Sequence, residues 1–338
     1  MDNPNLFDFA TSELSQDAFF AWLIAWADKA YVGSQMHDCG RAFLETVLLG
    51  GTGRELGGEC QVKVQRQHKG IDIFCRVGDD LALVIEDKVG TQEHSGQLER
   101  YKKAVIAEGY AQDKIVCIYL KTLDQSYFSS VENAGYQIVG RDKLLAFFRL
   151  PQTREAMCEN AILSDFVANL EKIEESVESY RTQPLDCWGW NSWIGFYAAL
   201  QKHIKGRWDY VPPPGKFLGF WWKSEKVKHG EVFLLLEQKR ACFKVTVYDS
   251  EKTEELKWHW NKAFKEAGKA LGIDVINPSR LRRGEYMTVA ILPGDSRVAG
   301  PDGILDMEAT IARLRTMEQV LAYAITLEKD DKKEGATP

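Results

Sequence analysis

The sequence predicts an α/β (α+β) protein of two domains, residues 1–180 and 185–330. The first runs helix, three strands, helix, strand (αβββαβ), and the second runs βββαβα. Three observations carry this. Residues 70–88 read as two apolar strands joined by the polar turn Gly78-Asp79-Asp80. Helical patterns precede and follow that hairpin, and a further apolar strand comes next. Past Arg181-Thr182-Gln183-Pro184 the composition changes, and eight of the ten tryptophans lie beyond it, from Trp188 to Trp260.

Taken in order, residues 11–30 read as a helix with Leu14, Phe19, Trp22, Leu23 and Trp26 on its apolar face. Glu13 and Asp17, four apart, share another side of it. A second helix is expected over residues 40–49. The glycine-rich run at 50–58 lacks the Gly-Lys-Ser/Thr ending of a phosphate-binding loop and reads as a connection. Residues 59–67 alternate as a strand. Arg66, His68 and Lys69 then lead into the hairpin as a basic rim that could hold a phosphate backbone. After the hairpin, a helix over residues 93–108 places His94, Gln97, Leu98, Tyr101 and Val105 on one face. Residues 114–120 and 137–139 are strands, and 141–150 and 154–180 are helices. In the second domain residues 217–222, 231–237, 241–248 and 286–292 read as strands, with helices over 251–271 and 304–327.

Composition bounds the function. The chain has 338 residues, 45% hydrophobic and 27% charged, as in an ordinary globular protein. Its formal net charge of −6 means that binding to a polyanion would need local basic patches. No run approaches 18 apolar residues, so no membrane partner is expected. The amino terminus lacks the basic and apolar regions of a signal peptide. The seven cysteines show no Cys-x-x-Cys spacing, which argues for a reducing, cytoplasmic setting and against a zinc or disulfide framework. No nucleophile elbow, His-Glu-x-x-His helix or dinucleotide fingerprint is present.

The hairpin carries the chemistry. Pairing its strands around Asp79 sets Val77 opposite Leu81 and Asp72 opposite Glu86, on one face. Period-two alternation puts Lys88 on the face of Glu86. Two carboxylates and an ammonium thus meet at one end of otherwise apolar strands. A structural ion pair is one reading. An oxygen-rich acidic pair for a hard cation such as Mg²⁺ or Mn²⁺, with the lysine beside a water, is the other.

Asp72 followed by Glu86-Asp87-Lys88 resembles the PD-(D/E)XK nuclease superfamily, whose members carry an acid on one strand and acid-x-Lys on the next. Ile71 stands where the motif often has proline. Gln97 and Tyr101 match the Gln-x-x-x-Tyr pattern many members carry on the following helix. The run from Ile85 to Tyr101 is similar to a bacterial subgroup of small uncharacterised members. The resemblance covers about residues 5–150 and implies a restriction-endonuclease-like core. It implies a metal-dependent nuclease, an endonuclease or other phosphodiester hydrolase acting on DNA rather than RNA, with a role in phage defence or DNA processing. It implies that Asp72, Glu86 and the backbone carbonyl of Asp87 bind Mg²⁺ or Mn²⁺. Glu13, with Asp17 as the alternative, would be the helix-borne acid near the metal. Lys88 would orient the attacking water, and Gln97 and Tyr101 would support the site. His94 is a candidate proton shuttle or phosphate contact. The alternative is a non-catalytic nucleic-acid-binding or regulatory protein that keeps the fold.

No resemblance assigns the second domain. Phe220, Trp221, Trp222, Lys223, Lys226, Lys228 and the run from Arg280 to Arg283 could make an aromatic and basic surface for nucleic acid. Core packing of the tryptophans is the competing expectation. Ligand sensing or homodimer contacts are the other uses open to it.

Overall fold

A computed structural model describes residues 4–79, 81–93, 96–213 and 215–334, with side chains to Glu328. The chain forms two compact units that divide between Glu175 and Ser176. The first holds α1 (Glu13–Ala25), α2 (Gln35–Ala42), β1 (Val62–His68), β2 (Ile71–Val77), β3 (Leu81–Lys88), α3 (Gln97–Ala107), β4 (Ile115–Lys121), α4 (Ser129–Asn133), β5 (Gln137–Gly140), α5 (Arg141–Phe148), α6 (Pro151–Glu159) and most of α7 (Ala161–Glu178). Its sheet has the order β1-β2-β3-β4-β5. The first three strands are antiparallel neighbours, and β3, β4 and β5 run parallel. The order helix, three strands, helix, strand is the one expected.

The two faces of this sheet bury different side chains because strand residues alternate. Ile73, Cys75, Leu83, Ile85, Ile118 and Leu120 pack with Phe19, Phe20, Leu23 and Ile24 of α1 and with α5 and α7. Phe74, Ala82, Val84, Cys117 and Tyr119 pack with Leu98, Tyr101 and Val105 of α3. Val77 pairs with Leu81 and Ile73 with Ile85, the expected hairpin register. Asp80, the last residue of the expected turn, lies outside the described residues.

Several boundaries differ, each for a local reason. α1 ends at Ala25, and a 3₁₀ turn over Lys29–Tyr31 is capped by Asp28. Leu14 is exposed, whereas Gln16 and Asp17 are buried, so the inward stripe of α1 is more polar than hydrophobic periodicity implies. α2 starts five residues before the expected Gly40, where the Ser34 hydroxyl accepts from the His37 amide at 3.1 Å, and it continues as a π-helical stretch Phe43–Leu48. Gly40 sits inside the helix because a Cβ there would lie 2.6 Å from the Leu23 carbonyl oxygen. Gly40→Ala should therefore push α1 and α2 apart and cost about 1–3 kcal/mol, read as a lower denaturation midpoint. An unchanged midpoint would show that the contact relaxes freely. The expected long helix at 154–180 is broken at Asn160, whose extended backbone ends α6 and whose side chain accepts from the Leu163 amide of α7.

The second unit contains α8 (Trp190–Gln201), β6 (Gly206–Val211), β7 (Phe217–Val227), β8 (Gly230–Glu237), β9 (Arg240–Val247), α9 (Thr253–Leu271), β10 (Tyr286–Ile291) and α10 (Met307–Glu334). Its sheet has the order β10-β9-β8-β7-β6, with every neighbour antiparallel. Strand β6 was not expected, since Arg207, Asp209 and Tyr210 hide the alternation and leave Trp208 as its one fully buried side chain. Trp193, Trp208, Trp222 and Trp260 are core residues, while Trp190 and Trp258 are exposed. All seven cysteines are free thiols. Cys39, Cys75, Cys117 and Cys242 are buried, and Cys158 and Cys187 are exposed. Among the described residues no helix is long and apolar enough to cross a membrane.

A candidate active site at the end of the hairpin

β2 and β3 bring Asp72, Glu86 and Lys88 together on the α3 face, at the sheet end where β3 gives way to the loop after Lys88. The Lys88 ammonium lies 2.6 Å from Glu86 Oε1 and 3.7 Å from Asp72 Oδ2. Glu86 is fully buried, and its Oε2 has no hydrogen-bond partner. Asp72 keeps 15% side-chain exposure and is the open edge of the pair. Its Oδ2 accepts from the Asp87 amide at 3.0 Å and its Oδ1 from Gln67 Nε2 at 3.3 Å. From α3, Gln97 Nε2 donates to Glu86 Oε1 at 2.8 Å and meets the Tyr101 hydroxyl at 2.7 Å. The period-four spacing read from the sequence is what stacks these two side chains over the strands.

The electrostatics follow from burial. Desolvation, then the neighbouring Asp72 charge, pushes the Glu86 carboxyl up to about 8. Burial alone would lower the Lys88 ammonium, but the hydrogen bond and charge of Glu86 outweigh it, and the net shift is upward. Lys88 is therefore held as a cation and cannot serve as a general base near neutral pH.

Glu13 and Asp17 occupy different places. Glu13 Oε1 accepts from the Val89 amide at 3.1 Å and the Thr91 hydroxyl at 2.7 Å. It pins the loop after Lys88 and adds its charge to those holding the Lys88 proton. Asp17 points under β3 toward Asp87, on the opposite sheet face from Glu86. Burial and then the Asp72 charge raise its carboxyl to about 6. Asp87 is fully buried, and burial followed by the Asp17 charge raises it well above the usual carboxylate range. Gln16 Nε2 donates to Asp87 Oδ1 at 2.6 Å, and Thr122 Oγ1 donates to Gln16 Oε1 at 3.0 Å. Asp17 Oδ1 and Asp87 Oδ2 have no other donor, which suits two carboxyls sharing one proton.

Two features were missed from the sequence. The Asp87–Gln16–Thr122 chain supports the strand from behind, and its signal was an acid at an inward position of an apolar strand. Lys121, paired in register with Lys88, donates to the Val89 carbonyl at 2.9 Å and the Thr91 carbonyl at 2.5 Å. Burial lowers its ammonium to about 8. Its signal was a lysine closing an apolar strand.

The basic rim is largely engaged. His68 and Lys69 meet Glu108 Oε1 at 2.8 and 2.6 Å, and Arg66 donates to the Leu14 carbonyl at 2.7 Å. His94 lies outside the described residues, and α3 begins after it, at Gln97.

The donor set fits a hard divalent cation. Asp72 and Glu86 offer carboxylate oxygens, one of them buried without a donor, and the Lys88 ammonium already marks the space between them as a place for positive charge. Among the described residues no group of three or more His, Cys, Asp or Glu side chains converges on one metal position. Water and backbone carbonyls would have to complete the coordination.

A mixed sheet flanked by helices, carrying an acid and acid-x-Lys at one strand end, defines the class of nuclease-type cores. The profile of the PD-(D/E)XK nuclease superfamily matches residues 4–181, over half of the chain. The chain belongs to the PD-(D/E)XK nuclease superfamily. Nucleases of this superfamily typically use divalent metal ions and act on nucleic acid. Neither a curated protein nor a solved structure shows significant similarity to the chain.

Proposed function

We propose that the chain is an Mg²⁺- or Mn²⁺-dependent phosphodiester hydrolase acting on DNA, with Asp72, Glu86 and Lys88 as its working groups. The observation that carries this reading is the Lys88 ammonium lodged between Asp72 and a buried Glu86 that retains an unpartnered oxygen. Asp72, Glu86 and the Asp87 carbonyl would hold the ion, with Glu13 near a second ion or a water. When bound, such an ion supplies Lewis-acid stabilisation and lowers the pKa of its water. Lys88, fixed as a cation, donates to the attacking water and to the phosphate oxygens as negative charge grows there. Gln97 holds Glu86 in its rotamer, and Tyr101 presents its hydroxyl beside the same oxygens. Glu13 and Lys121 hold the loop after β3, so Lys88 does not swing out. A role in phage defence or DNA processing, in the cytoplasm, rests on analogy with the superfamily alone.

The test is incubation of the full chain with single-stranded DNA, duplex DNA and RNA in Mg²⁺ or Mn²⁺. Cleavage of DNA that EDTA abolishes is expected, and Asp72→Ala and Glu86→Ala should lose it together with calorimetric metal binding. Absence of both cleavage and metal binding dependent on Asp72 and Glu86 would overturn the reading.

A further inference from the structure

We propose that the open face of the second unit's sheet binds single-stranded nucleic acid, stacking bases on Trp221, Phe233, Tyr248 and Tyr286. It extends the nuclease reading, because a polynucleotide is what that site would cut. Its test does not depend on cleavage.

The sheet β10-β9-β8-β7-β6 has one face committed to a core. Phe220, Trp222, Leu234, Leu236, Phe243 and Val245 pack with α8, α9 and α10. The alternating residues point the other way. Arg207 pairs with Trp221, Phe233 with Lys244, and Thr246 with both Glu231 and Tyr286. All of these side chains except that of Lys244 line an open depression of about 700 Å³ that crosses the strands. Tyr286 and Tyr248 are 64% and 62% exposed, costly positions for large rings unless something covers them. Tyr286 also borders a second depression, so the two adjoin at its side chain and together make up the proposed trough.

Trp221 is built to lie against the sheet. A Cβ on Gly219 would sit 3.0 Å from Trp221 Cη2 and 3.1 Å from Leu235 Cδ1, so the glycine leaves the indole room that a larger residue would crowd by a few tenths of an ångström. The half-buried ring keeps its outer side on the trough. Beside it β7 bulges between Trp222 and Glu225, and Lys223 takes a left-handed φ of +48°. A lysine in that region is strained, and bulges commonly re-aim side chains at binding sites.

Charge selects the occupant. The first depression is lined by Lys205, Arg207 and Lys223 against Glu231 and Glu285. The second is lined by Arg240, Lys244, Arg280 and Arg282 against Glu237. Seven cations therefore face three carboxylates, in a chain whose formal net charge is −6. Lys205, Arg207, Arg280 and Arg282 make no ion pair or side-chain hydrogen bond among the described residues. Rings open to solvent, spread over several strands and bordered by unpaired cations, suit unstacked bases with a phosphate backbone running alongside. A duplex hides its base faces and would meet only the charges.

The experiment is fluorescence anisotropy of the full chain in EDTA, titrated into labelled oligothymidylate, oligouridylate and a DNA duplex, each of about 20 nucleotides to exceed the usual site size. Single strands should bind at least about tenfold more tightly than duplex, and more weakly as salt rises. Tyr286→Ala and Arg207→Ala alter exposed side chains and should each weaken single-strand binding by about 5- to 10-fold. Trp258→Ala removes an exposed tryptophan on α9 that does not line the trough and should bind as wild type. Binding is read in EDTA, so a failure of the nuclease reading alone would show as wild-type protein that binds single strands yet cleaves none of them when Mg²⁺ or Mn²⁺ is supplied. Equal affinity for single strands and duplex would overturn the proposal. So would wild-type affinity in the Tyr286→Ala, Arg207→Ala double variant.

Discussion

Lys88→Ala is expected to reduce metal-dependent cleavage by at least about 10²–10³-fold, the usual effect of removing one donor aimed at developing negative charge. The same substitution leaves Glu86 fully buried with no cation beside it. Breaking a buried pair in this way costs about 3–5 kcal/mol where Glu86 is ionised, and less below its raised value of about 8, where the carboxyl holds a proton. The two effects separate when a divalent ion is added. The ammonium competes with an ion for the same oxygens, so Mn²⁺ should raise the melting temperature of Lys88→Ala more than that of wild type, without restoring cleavage. Wild-type cleavage in this variant would remove Lys88 from the reaction. An equal or smaller Mn²⁺ shift would place the ion elsewhere.

The metal-free protein should lose stability as pH rises from about 4.5 to 8, unlike proteins dominated by exposed carboxylate pairs. Three carboxyls set the sign. Glu86 is raised to about 8, Asp17 to about 6, and Asp87 well above the ordinary range. An acid with a raised folded pKa keeps its proton where the unfolded chain has released it. Folding is then favoured at low pH, and that advantage fades as pH climbs through the folded value. Lys121, lowered to about 8, does not oppose the slope, because its own pH dependence lies above that value. Asp87→Asn gives the sharper test. Its oxygen can still accept from Gln16, and its new amide can donate to the orphaned Asp17 oxygen. Melting should show a gain of about 1–3 kcal/mol at pH 8 and a smaller one at pH 5. A loss at pH 8 would mean that the Asp17–Asp87 contact is not a shared-proton pair.

The hairpin was legible because its information is local. Alternation and a short polar turn fix the register, and register alone carries Asp72 opposite Glu86. Gln97 and Tyr101 were legible for the same reason, one helical turn apart on the next element. The inward turn of Gln16 and Asp17 was not, because it depends on Asp87 and Thr122, partners 71 and 106 residues from Gln16. Leu14 read as core and proved exposed on the same ground. In the second unit the notion of an aromatic and basic surface came from neighbours in sequence, Trp221-Trp222-Lys223. Alternation sends Trp222 into the core and leaves Trp221 outside, beside Phe233, Tyr248 and Tyr286 from other strands. Only the sheet pairing assembles that face.

The distribution of thiols makes each unit separately addressable by chemistry. Burial pushes Cys39 and Cys117 up to about 11 and Cys242 up to about 12, and it pushes Cys75 higher still. These stay protonated and shielded at neutral pH, where alkylating reagents need an accessible thiolate. Cys158 is exposed on α6 in the first unit, and Cys187 is exposed in the second. With half-buried Cys60 changed to serine, a donor and an acceptor dye can be coupled to the native pair. Energy transfer between them would then follow, in solution, how the spacing of the two units responds to an oligonucleotide or a divalent ion.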